Sequence, residues 1–292
     1  MAHNSTYNFP MVLRKERRLP TPGQVLVKTG DSVKPDTIVA KGVVDNPLLK
    51  EIKVFTQLRV DPEDVKKFML KKEGDQVQKD EVIAMYRSFL GRTRVARSPI
   101  DGSIVALSTV SGRAMVKGHP IPVEVQAHIP GTVVEIFPKE GATIETKVEI
   151  IHGKFGIGGE SRGDLIIAVE SPDSALTSDI IIPDHKGKII VGGSIITLDA
   201  LRKAVKTGVA GVVIGGIDQK DITEFLGYEI GVGITGDEPV GLTLIVTEGF
   251  GVNPMSDEDF EFLNNHSGEL ACIDGTTQIR SRIRRPEIII PV

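Results

Sequence analysis

The chain has 292 residues, 40% hydrophobic and 25% charged, with a formal net charge of −4. That length suggests about two domains, the composition a packed core, and the mild acidity gives no global attraction to nucleic acid or an anionic membrane. The single Cys272 excludes an intrachain disulfide and any four-cysteine zinc or iron–sulfur site within the chain. No apolar run reaches the roughly 20 residues that span a bilayer, and the first residues lack the apolar centre of a signal peptide, so a cytoplasmic location and no membrane insertion are expected.

Aromatic residues make up only 4%, so the core must rest on Val, Ile and Leu, while 31 glycines and 17 prolines imply short strands joined by tight turns. Residues 1–20 read as an N-terminal arm. Its basic run, Arg14 to Arg18, contains Glu16 and reads as a solvated segment.

Residues 21–160 read as a repeated β region. Leu26 to Ala40, LVKTGDSVKPDTIVA, and Leu70 to Ala84, LKKEGDQVQKDEVIA, share Leu, Lys, Gly, Asp, Val, Asp and Ala in register at an offset of 44. In each copy a short strand precedes a Gly-Asp turn: glycine accepts a positive φ, and aspartate can bond its own nearby backbone. Pro138 to Ile151, PKEGATIETKVEII, reads as a third copy, with Gly141 in place of Gly30 and Gly74. Gly102 and Gly112, and likewise Gly131 and Gly141, stand ten apart.

These residues resemble the barrel-sandwich hybrid of biotinyl and lipoyl carrier domains, a small β-fold similar to modules of membrane-fusion adaptors and of Rnf- and Nqr-type redox subunits. The resemblance implies a modified lysine in a hairpin between the two halves. The equivalent stretch, Ala84 to Pro99, carries Arg87, Arg92, Arg94 and Arg97 and no lysine. Arginine keeps its charge and cannot form the amide link, so covalent biotin or lipoate is not expected. Arg87, Arg92 and Arg94 are candidate contacts for an anion or an acidic partner.

After Gly153 the pattern changes. Gly153 to Asp164 is a glycine-rich connection without the residues of a phosphate loop. Residues 161–266 then alternate strand and helix: Lys188–Val191, a helix capped by Thr197 and closed by Gly208, Val212–Ile214, a helix capped by Asp218, Leu242–Gly251, and a helix capped by Ser256. This grammar predicts parallel crossovers in a small Rossmann-like α/β layer. In such sheets ligands sit beyond the carboxyl ends of the strands, which makes Gly192, Gly193, Gly215, Gly216, Glu248 and Gly249 the candidate ligand site. The same glycines could equally serve close packing of another loop.

Residues 267–292 return to β structure, with Asp274-Gly275 as a hairpin turn and alternating arginines, of which Arg280 and Arg282 are candidate partner contacts. Six histidines are scattered without an i, i+4 pair, so no metal site is read, and Cys272 reads as buried and inert.

The expected class is therefore α+β and multi-domain: a repeated barrel-sandwich-like β region, a small Rossmann-like layer and a C-terminal β segment. No catalytic constellation and no resident cofactor is read. The expected role is non-enzymatic, a binding or scaffold protein acting on a protein partner or through self-assembly as a homo-oligomer. The alternatives are a small-molecule or nucleotide-binding subunit of a redox-linked complex, and RNA binding through the tail arginines. The last is disfavoured, because no aromatic residues interleave for base stacking.

Overall fold

The computed structural model describes residues 10–88, 91–228, 240–276 and 285–292. Strand makes up 45% and helix 17%, in several sheets, which is an α+β composition. The chain forms two compact units: unit 1 comprises residues 1–18, 25–40 and 125–292, and unit 2 residues 19–24 and 41–124.

The repeat is realised as one copy per unit. In unit 1, Gly30 has φ +92°, its N–H donates to Val133 O at 2.8 Å, and the Asp31 carboxylate accepts from Lys28 N at 2.7 Å. In unit 2, Gly74 has φ +90°, its N–H donates to Ile104 O at 2.8 Å, and the Asp75 carboxylate accepts from Lys72 N at 2.9 Å. The two residues after each turn then pair with an equivalent strand. Val33 faces Gly131 in one unit, and Val77 faces Gly102 in the other. Glycine is required at Gly102 and Gly131, where a Cβ would stand 2.0 Å from Lys117 O and 2.3 Å from Glu145 O.

The third copy has a different role. Gly141 opens the second strand of a hairpin with Gly131–Phe137, much as Arg113–Gly118 follows Gly102–Ser108. The shared glycine spacing marks the hairpin, not another Gly-Asp turn.

Unit 2 packs Ile52, Val54, Leu58, Val65, Val77, Ile83, Ile104 and Val116 into its own core. It has a four-stranded sheet in the order Leu49–Ile52, Arg113–Gly118, Gly102–Ser108, Gln76–Val77, and a hairpin of Val82–Arg87 with Thr93–Arg97.

Unit 1 contains strands β1 (Met11–Arg18), β2 (Gly131–Phe137), β3 (Gly141–His152), β4 (Phe155–Ile157), β5 (Glu160–Ile167) and β6 (Ile189–Val191), helix α1 (Leu198–Thr207), β7 (Gly211–Ile217), α2 (Gln219–Leu226), β8 (Thr243–Phe250), α3 (Asp257–Asn265), β9 (Leu270–Asp274) and β10 (Glu287–Pro291). Strands β5, β6, β7 and β8 are parallel and adjacent in chain order, with β4 antiparallel on β8. The expected caps are present. Thr197, Asp218 and Ser256 accept from Ala200 N, Lys220 N and Asp259 N, and Gly208 closes α1 in the left-handed region.

Alternation along the strands divides the core. Ile190, Val212, Ile214, Leu244 and Val246 pack with Ala200, Leu201 and Ala204 of α1 and Ile222 of α2. Their neighbours Ile189, Val191, Val213 and Ile245 pack with Leu263 of α3 and with Ile273, Ile288 and Ile290. The glycine-rich connection is strand β4 followed by a bend at Gly158, with Gly158 and Gly159 at φ +88° and +66°, and a Cβ at Gly158 would meet Leu242 O at 1.9 Å.

Strand β5 changes partner midway. Leu165–Ile167 run parallel to β6, whereas Glu160–Asp164 run antiparallel to β9. β9 pairs with β10, β10 with the end of β3, and β3 with β1. That second group of strands positions the site.

Candidate functional site

Three carboxylates stand in one row across three strands of unit 1. Glu160 of β5 is directly opposite Asp274 of β9, Asp274 is opposite Glu287 of β10, and Glu287 is opposite His152 of β3. Residues opposite one another in a sheet project on the same face, and like charges so placed repel.

Strand β1 supplies the counter-charge. Its alternation turns Leu13, Lys15 and Arg17 inward and Arg14, Glu16 and Arg18 outward. The Lys15 Nζ lies 3.2 Å from Asp274, 3.5 Å from Glu287 and 3.8 Å from Glu160. Arg17 grips Glu160 through two bonds of 2.6 and 2.7 Å and donates a third to Gln126 O at 2.6 Å. The side chains of Lys15 and Arg17 are only 14% and 13% exposed. The run read as a solvated arm is thus a strand with two inward cations. Its period of two, Leu13, Lys15, Arg17, was the signal available in the sequence.

The electrostatics follow from burial against pairing. Burial pushes the Glu160 carboxyl up, but Arg17, the neighbouring His128 and Lys15 outweigh it and hold it below the ordinary value. Burial likewise opposes ionisation of Asp274, and Lys15 with the side-chain and backbone hydrogen bonds of Thr276 overcomes it. His128 is 2% exposed, adopts φ +69°, and places Nδ1 3.8 Å from Glu160. Burial lowers its pKa to about 4; Glu160 opposes that shift, while Lys15 and Arg17 add to it. Its Nε2 has no hydrogen-bond partner among the described residues. Cys272, in β9, is buried with its thiol pushed up to about 12, chiefly by burial, which leaves it without thiolate character.

The row lines a cavity of about 530 Å³, whose walls include Leu13, Lys15, Arg17, Thr276 and Arg285. Arg285 is exposed and has no charge partner among the described residues. At neutral pH Glu160 and Asp274 are ionised and paired with Lys15 and Arg17. It can accept hydrogen bonds from a cationic or hydroxyl-bearing ligand, but Glu160 and Asp274 are not poised to give up protons.

The strand-end glycines lie elsewhere in unit 1, and all four of the paired glycines are buried. A Cβ at Gly193 would meet Ser174 O at 2.5 Å, one at Gly215 would meet Asn253 O at 2.2 Å, and one at Gly216 would meet Gly251 O at 2.1 Å. At Gly192 the obstacles are Ile214 and Leu176. These glycines let loops 171–174 and 251–255 close on the strand ends. Glu248 is engaged by Lys154, whose Nζ bonds its carboxylate at 3.0 Å and its carbonyl at 2.6 Å, and Gly249 follows at φ +127°.

In unit 2, Arg94 donates to Leu58 O at 3.1 Å and lies 5.8 Å over the Tyr86 ring, and Arg97 donates to Asp80 O at 2.6 Å. Arg87 and Arg92 are exposed at the hairpin end. Arg280 and Arg282 lie outside the described residues. No group of acidic, His and Cys side chains placed to hold a metal occurs among the described residues, and no described helix is long and apolar enough to cross a membrane.

Compared with protein-family models, curated proteins and solved structures, the chain has no match. The functional reading therefore rests on the geometry of the carboxylate row and its cavity.

Proposed function

We propose that this protein is a small-molecule-binding protein and that the cavity over the Glu160–Asp274–Glu287 row is its binding site. One observation carries the reading: three carboxylates are placed in register on one sheet face, where they oppose one another, and they front a cavity. A sheet built only for stability would put apolar or oppositely charged pairs there. Departures of this kind cluster at functional sites, and the volume falls in the range of small-ligand pockets, roughly 300–1,000 Å³. The ionised state of the carboxylates favours binding over acid–base chemistry.

The paired Gly-Asp turns and interleaved hairpins support a fold relationship to carrier-type barrel-sandwich modules, and the α/β layer of unit 1 supports a Rossmann-like reading. In this view the layer serves as the rigid frame for β5 and β9. A scaffold role is a second reading, favoured by exposed Arg87 and Arg92, which suit an acidic protein surface.

The test of the first reading is a thermal-shift panel of amino acids and peptides, sugars, dicarboxylates and nucleotides at saturating concentration. The substitution His152→Trp is the control, because His152 borders the cavity without joining the ion network. A ligand that raises the midpoint of the wild-type protein and not of the variant supports the site. No shift with any class counts against it.

A further inference from the structure

The charges around the cavity are not all satisfied alike. Among the described residues, Lys15 and Arg17 face Glu160, Asp274 and Glu287 on the floor, two cations against three carboxylates, and Arg285 is a further cation of the same cavity. Both oxygens of Glu160 are engaged by the Arg17 fork. Asp274 accepts from Lys15 on one oxygen and from Thr276 N on the other. Among the described residues, Glu287 accepts one long bond, 3.5 Å, from Lys15. Glu287 is thus the carboxylate with capacity to spare. Two residues away, across Pro286, Arg285 lines the same cavity, and its guanidinium has no partner among the described residues.

From this arrangement, and resting on the cavity reading above, we propose that the ligand is a small zwitterion carrying a primary ammonium and a carboxylate, of the class of free amino acids and short peptides. The ammonium supplies the charge the floor lacks and bonds Glu287. The carboxylate takes the planar guanidinium of Arg285, whose fork matches it. A polyanion is disfavoured because it would meet the carboxylate row. A simple cation would leave Arg285 unused.

The test is titration calorimetry on the full-length protein at pH 7 and low salt with three probes: alanyl-alanine, its N-acetyl derivative and its C-terminal amide. The expected result is that the free dipeptide binds at least about tenfold more tightly than either blocked form. Arg285→Gln then weakens the free dipeptide by about tenfold and leaves the amide unchanged. The thermal midpoint of this variant stays at the wild-type value, because the replaced side chain has no partner among the described residues. Equal affinity for free and blocked forms overturns the inference, as does absence of binding by the free dipeptide. If the sugar or nucleotide arm of the panel still shifts wild type and not His152→Trp, the zwitterion inference fails while the cavity reading stands. Silence in every arm removes both.

Discussion

Glu160 and Asp274 face each other directly across β5 and β9, and both carboxyls are held below their ordinary pKa values. Two partly buried acids at neighbouring sheet positions would normally raise one another. Here Lys15 and Arg17, reaching over from β1, reverse the sign.

Replacing the shared cation tests that account. Lys15→Met leaves three carboxylates in a row with only Arg17 nearby, and is expected to destabilise the protein by about 2–3 kcal/mol at pH 7. Glu160 and Asp274 of the variant should then titrate nearer to or above their ordinary values, so acidification from pH 5 to 3 should cost it less stability than wild type loses. Urea unfolding at both pH values measures the difference.

His128 sets a second pH dependence. Its folded pKa of about 4 lies below the ordinary 6.5, so the unfolded chain takes up a proton that the folded chain refuses. Its contribution is full above pH 6.5 and is lost as pH falls toward 4, about 3 kcal/mol in all. Glu160 and Asp274 act in the same direction, with their contributions lost below their ordinary carboxylate values. His128→Asn, which tolerates the left-handed backbone at this position, should flatten the slope between pH 6.5 and 4. A variant with the wild-type slope would contradict this assignment.

The glycines of the strand ends should be intolerant for steric reasons. A Cβ at Gly216 meets backbone oxygen at 2.1 Å, whereas Gly30, at φ +92°, has nothing within 4 Å. Gly216→Ala is therefore expected to cost more than about 2 kcal/mol, and Gly30→Ala about 1 kcal/mol from backbone strain alone. Chemical denaturation of both variants checks the order.

Where a signal is local, the sequence carries it. The repeat at Gly30 and Gly74, the caps at Thr197, Asp218 and Ser256, and the parallel β6–α1–β7–α2–β8 run all depend on neighbours a few residues apart. The carboxylate row does not. Its members, at 160, 274 and 287, are joined only by register between strands, which no spacing reveals. The paired glycines could be read two ways from composition alone, and the carbonyls of Ser174, Asn253 and Gly251 that crowd them are remote in sequence. Lys15 and Arg17 were legible in part, since they alternate with Leu13, but the surrounding basic residues masked that period.

The most direct measurement is the location of ligand binding. Backbone amide NMR spectra of the full chain, recorded with and without the pooled panel of amino acids and peptides, sugars, dicarboxylates and nucleotides, report which residues respond. The account expects shifts concentrated at Lys15, Arg17, Glu160, Asp274 and Glu287 and their loss in His152→Trp. Shifts confined to the strand ends at Gly192, Gly215 and Glu248, or an unchanged spectrum, would contradict it.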